Sequence, residues 1–181
     1  FFLEQLGFAA LLTLLPYLSE YVLHTPGKTS LYLGGAIISM ALSIPLWIPI
    51  SRRFGKRPVW LFSTAVKIAT FGFLVWIGPG DTLALGLAVV SFGVISRCGN
   101  VVGPSLKADV IDWDEAESGE RKEGAYFAAW NFVQKSASGF SGWTIGLVLS
   151  ATGFEPNVAQ GDTALMGIRS LASIWPLALH V

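Results

Sequence analysis

The chain has little charge and almost none of the residues that serve redox or metal chemistry. Asp, Glu, Lys and Arg make up only 13% of its 181 residues, against about 25% in an average soluble domain. A soluble globule is therefore not expected. Cys98 is the single cysteine, so no internal disulfide can form. Only two histidines, His24 and His180, are present. No Cys/His metal spacing, nucleophile elbow or phosphate-cradling glycine loop appears, so neither an enzyme nor a bound metal or cofactor is expected. Twelve basic residues balance twelve acidic ones, and zero net charge gives no pull towards nucleic acid. A leading methionine is also lacking. Phe1-Phe2 open inside an apolar run and His180-Val181 close in another, which is expected of a piece of a longer protein.

Apolar residues dominate, at 52%. Crossing a bilayer takes about 20 mostly apolar residues, and six stretches qualify: 2–23, 31–50, 58–78, 82–106, 124–150 and 164–181. Turn formers such as Thr25-Pro26-Gly27 and Gly78-Pro79-Gly80-Asp81 separate them. The runs are apolar nearly all round, unlike the two-faced helices of a soluble bundle. Arg52, Arg53, Lys56 and Arg57 fall in the second connection, and Lys107, Arg121 and Lys122 in the fourth. Lys28 alone occupies the odd connections. Basic residues favour the cytoplasmic side, so both ends of the segment are expected there, in an all-α membrane protein of six transmembrane helices.

One stretch breaks the apolar pattern. Asp109, Asp112, Asp114, Glu115, Glu117, Glu120 and Glu123 crowd together with Arg121 and Lys122. Each ionised side chain in hydrocarbon costs roughly 3 kcal/mol or more, so this stretch is expected to be a water-facing loop between the fourth and fifth spans. Its spacing does not fit an EF-hand calcium loop.

Ionisable residues inside the spans are candidates for a solute or ion pathway. Lys135 lies mid-span on a stripe with Phe127, Asn131, Gln134, Ser138 and Gly142, spaced by three and four residues. One polar face on an apolar helix suits the wall of a watery cavity; a structural lysine paired elsewhere is the alternative. Arg97 sits beside Ser96, Asn100 and three glycines, where a pathway lining and a structural ion pair are both open. Glu20, between Tyr17 and Tyr21, either meets solute or reaches the interface. Lys67 is read as snorkelling or ion-paired, and Arg169 as an anchor.

The pattern Asp109-x-x-Asp112-x-Asp114-Glu115-x-x-x-Gly119-x-Arg121-x-Glu123-Gly124 resembles the loop between helices ten and eleven of the glycoside–pentoside–hexuronide cation symporters. These form a melibiose-carrier-like branch of the major facilitator superfamily. Phe132-x-x-Lys135, Gly153-Phe154-x-Pro156-Asn157, Arg53-Phe54-Gly55-Lys56-Arg57, Tyr17-x-x-x-Tyr21-Val22-Leu23 and Gly167-Ile168-Arg169 extend the likeness in order.

The resemblance implies that the chain is the carboxy-terminal half of a twelve-helix carrier, its partners being the amino-terminal half, the lipid bilayer and a small solute, sugar or glycoside. Its implied function is cation-coupled symport by alternating access across the plasma or inner membrane. The coupling ion would be Na+ or H+, bound mainly by the other half. Lys135 would act in coupling, with Asn131, Gln134, Arg97, Asn100, Glu20, Tyr17 and Tyr21 along the pathway. Asp109, Asp112, Asp114, Glu115, Arg121, Glu123, Arg53, Lys56 and Arg57 would form a cytoplasmic gate of ion pairs. Rival readings are a same-fold carrier for a lysolipid or organic anion, and a non-transporting scaffold or receptor.

Overall fold

The computed structural model describes residues 1–180, and among them the backbone is helical with no strand. Helix α1 (Phe2–Tyr17) continues through a π-helical turn (Leu18–Val22). It is followed by α2 (Thr29–Phe54), α3 (Lys56–Leu74), α4 (Thr82–Ser118), α5 (Glu123–Ala151), α6 (Asp162–Ala172) and α7 (Ile174–His180). The α1 rod with its π turn, α2 and α4 are each long and apolar enough to cross a membrane. Leu31, Leu42, Leu61, Trp76, Leu83 and Phe132 are all at least 60% exposed. Such an apolar outer surface belongs in lipid or against another apolar body.

Local chemistry explains where the rods start, bend and stop. Pro16 lies inside α1 and cannot donate to the preceding turn, and the wider π turn follows it. His24, at φ 54°, closes that rod in the left-handed region, while the Thr25 amide reaches back to the Ser19 carbonyl at 2.9 Å. Gly55 separates α2 from α3 at φ 89°, a conformation open to glycine. The expected last span, 164–181, is interrupted at Ser173, and α7 begins afresh with Pro176 in its first turn. Pro176 cannot donate a bond to Ala172, so an unbroken helix is disfavoured there. That span also ends one residue beyond the described ones.

The acidic stretch is the larger departure from expectation. Asp109 to Ser118 is not a loop but the last turns of α4, and only Gly119–Lys122 connect to α5. Gly119, at φ 72°, caps the helix. A helix of 37 residues is about 55 Å long at about 1.5 Å per residue, against a hydrocarbon core of about 30 Å. Its surplus turns therefore stand in water, where charge does not oppose a helix.

Helices α2 and α4 share the most extensive contact. A Cβ on Gly93 would overlap Ser39 Oγ and come within 2.8 Å of the Ala36 carbonyl oxygen. Glycine there lets the two backbones meet, as small residues do between membrane helices. One core gathers Leu11, Leu14, Leu15, Phe71, Leu85, Phe92 and Ile168. A second, nearer the α2–α3 turn, gathers Trp47, Val59, Ile95, Cys98 and Val102. Trp47 Nε1 donates to the Val94 carbonyl at 2.8 Å, tying α2 to α4. Pro104, inside α4, withholds the amide that would bond the Asn100 carbonyl.

Candidate functional site: a polar cavity and a charge cluster

Polar groups converge at one place inside the apolar bundle. A cavity of about 230 Å³ opens among α1, α3, α4 and α5. Phe1, Phe8 and Phe92 form its apolar wall, and Glu4, Gln5, Lys67, Ser96, Arg97, Asn100 and Gln134 supply polar groups. Glu4 and Lys67 form an ion pair across α1 and α3, with side chains 12% and 3% exposed. The other Glu4 oxygen accepts from Trp60 Nε1 at 3.2 Å. Gly99 faces the carboxylate, since a Cβ there would lie 3.0 Å from Glu4 Oε1. The glycine leaves room for Glu4 against α4.

Arg97 is half-buried. Its Nη2 lies 3.9 Å from Met40 Sδ, a weak contact, and its Nε is buried without a partner among the described residues. Ser96 Oγ, in the same wall, is likewise buried and unbonded.

Of the pathway residues expected from sequence, the cavity gathers Arg97, Asn100 and Gln134. Lys135 and Asn131 are exposed on α5, outside the cavity. The buried residues of α5 are Ala137, Ser141, Ile145 and Leu149, every fourth position along one stripe. Its first half contributes none, so the polar face there stands open. Tyr17 and Tyr21 pack edge-on against Phe154 at 5.3 and 5.1 Å. The Asn157 amide donates to Tyr21 Oη at 3.1 Å. These tyrosines thus hold the α5–α6 loop rather than line the cavity, and Glu20 is exposed beside them. Arg169 anchors, through a 2.9 Å bond from Nη2 to the Ile77 carbonyl.

The sequence reading did not single out Glu4. It lies four residues into an apolar run, and its partner is 63 positions away, so no local spacing marks the pair.

At the end of the bundle that carries the α2–α3 and α4–α5 turns, Lys56 on α3 meets Asp109 on α4 at 2.5 Å, with side chains 35% and 56% exposed. Arg121 pairs with Glu123 at 3.1 Å and Glu115 at 3.6 Å. The Glu123 hydrogen bond first, and then the Glu115 charge, raise the guanidinium pKa above its usual value. Asp112 lies with Arg121 and Glu123 around a small cleft beside Lys107 and Phe127. No ion pair reaches Arg53, Arg57, Asp112 or Asp114 among the described residues. Arg53 instead sits 5.5 Å from the Phe54 ring. Lys56–Asp109 therefore bridges two membrane helices, while the Arg121 pairs staple the α4–α5 turn.

Lys107 was counted on sequence only as a basic residue of a connection. It is buried in α4, with Nζ 3.5 Å from the centre of the Phe127 ring and 5.0 Å from that of Trp130.

Residues 1–181 match the family model described as MFS/sugar transport protein. The chain belongs to this family of carriers. It is thus a member of a membrane-transporter family, helical without strands over the described residues, and not an enzyme. A protein of Salmonella typhimurium, provisionally named a sulfoquinovose importer, is 28% identical over 169 residues, covering 91% of this chain and 35% of its own length. The isoprimeverose transporter of Lactiplantibacillus pentosus is 30% identical over 173 residues, with 92% and 35% covered. A glucuronide carrier protein homolog of Escherichia coli is 28% identical over 164 residues, with 87% and 35% covered. The chain spans about a third of the length of these relatives.

Proposed function

We propose that this chain is the carboxy-terminal six-helix half of a secondary transporter of the MFS/sugar transport family. The whole protein would carry a sugar-type solute across the plasma or inner membrane by alternating access, with Na+ or H+ as the coupled ion. Both ends of this segment would face the cytoplasm, consistent with the basic residues at the α2–α3 and α4–α5 turns.

The observation that carries this reading is the polar cavity in an otherwise apolar bundle. Carriers of this architecture bind solute near the midplane between two halves. At about 230 Å³, the cavity is smaller than the roughly 300–1,000 Å³ of small-molecule sites, as half of a shared site would be. The open polar face of α5, with Asn131 and Lys135, suits a wall turned towards the amino-terminal half. That half is the proposed partner and the main holder of the coupling ion. The relatives' names cover acidic and neutral sugars, which supports sugar as the solute class and leaves its charge open.

The test is uptake of labelled sugars by cells expressing the full-length protein. Lys135→Ala is expected to abolish accumulation while the protein still reaches the membrane. Normal accumulation by that variant would remove Lys135 from the mechanism, and no uptake by the parent protein would sink the carrier reading.

A further inference from the structure

Charge in the cavity does not balance. Glu4 and Lys67 neutralise one another across α1 and α3. Arg97 contributes a further positive charge, and no carboxylate lies within ion-pair distance of it among the described residues. Its buried Nε and the neighbouring Ser96 Oγ, on a residue only 6% exposed, both lack a partner among the described residues. Buried polar groups in folded proteins are nearly always bonded. Two adjacent unbonded groups in a cavity wall point to a ligand that bonds them.

Resting on the carrier reading above, we propose that Arg97 and Ser96 form an oxyanion subsite, and that the solute is a sugar bearing one carboxylate or sulfonate. The fork of a guanidinium matches the paired oxygens of such a group, and hydrogen bonds with both partners charged are the strong ones. Ser96 Oγ would donate a further bond. Asn100 and Gln134 carry amides suited to the hydroxyls of a sugar ring and share the cavity with Arg97. A single oxyanion brings the cavity to neutrality, whereas a neutral sugar leaves the guanidinium uncompensated in a low-dielectric site, which is costly. Lys67 is not the anion receptor, because Glu4 already holds it.

Binding to the purified full-length protein tests this with three probes of matched ring size: glucuronate, 6-deoxy-6-sulfoglucose and glucose. At least one acid is expected to bind roughly ten- to a hundredfold more tightly than glucose, the scale of one charged hydrogen bond. Which acid wins tells carboxylate from sulfonate. Arg97→Gln is expected to collapse that preference, and Arg97→Lys, which keeps the charge without the fork, to retain part of it. Glucose bound as tightly as both acids, or an acid preference that survives in Arg97→Gln, would overturn the subsite. In that case uptake of glucose would leave the carrier reading standing. Acids that bind but are never accumulated would sink the carrier reading and keep the subsite. Failure of all three probes to bind would overturn the subsite as well.

Discussion

Glu4 on α1 and Lys67 on α3 hold each other at the wall of the central cavity, and Trp60 Nε1 fixes the second carboxylate oxygen at 3.2 Å. Removing one partner of a buried pair strands the other charge, at a cost of roughly 3–5 kcal/mol. Lys67→Met is therefore expected to lower the thermal stability of the full-length protein sharply. Glu4→Gln/Lys67→Met, with neither charge, is expected to recover most of the loss. Melting curves of both variants in detergent check this, and a double variant as unstable as the single one would refute the pairing.

Gly93 sets how closely α2 and α4 approach. A Cβ would press on Ser39 Oγ and on the Ala36 backbone oxygen. Gly93→Ala is expected to destabilise by about 1–3 kcal/mol, the usual range for overpacking. Adding Ser39→Ala is expected to restore only part, because the Ala36 carbonyl cannot be trimmed away. Full rescue in a thermal melt would show that the side chain alone sets the spacing.

Lys56–Asp109 is half in water, so it contributes about 0–1 kcal/mol. That barely affects folding but suffices to shift a balance between nearly equal states. Asp109→Asn is expected to leave the melting temperature within about 4 °C, since about 1 kcal/mol moves a domain of this size by roughly 2–4 °C. The same change is expected to alter the inward–outward ratio read by accessibility labelling. Lys56→Asp/Asp109→Lys is expected to return the ratio towards the parent value. An unchanged ratio in Asp109→Asn would assign the pair to the surface alone.

Lys107 is clasped by Phe127 and Trp130. A desolvated contact of this kind contributes about 2 kcal/mol or more, and it holds the half of α5 that has no fully buried residue and otherwise leans on Phe1 through Trp130. Lys107→Gln is expected to speed hydrogen exchange over 124–133 while 137–149 stays protected. Uniform exchange along α5 would show that the clasp does not anchor it.

The apolar runs were legible because hydrocarbon demands them: the π-turned α1 rod, α2 and the body of α4 follow from composition. The acidic stretch shows where the reading fails. Its charge reports solvent, but not backbone shape. From Ser105 to Ser118 there is no Gly or Pro to stop the helix, and Gly119 is the first breaker. That was the available signal. Arg97, Asn100 and Gln134 stood out as polar groups within apolar spans, and all three line one cavity. The Glu4–Lys67 pair escaped because contact across 63 positions leaves no periodic trace. Tyr17, at the end of α1, and Tyr21, in the π turn, both pack on Phe154, and Tyr21 also bonds the Asn157 amide, partners that no spacing on that rod encodes.

Pro104 gives the cavity rim a property that belongs to the main chain. Without an amide on Pro104, the Asn100 carbonyl lacks its usual partner one turn on, in a residue that lines the cavity. Replacing the Asn100 side chain changes an amide but leaves that oxygen in place. Only restoring the donor, as in Pro104→Ala, would silence it. An acceptor on this cavity-lining residue is thus insulated from substitution of its own side chain, and governed by another residue a full helical turn away.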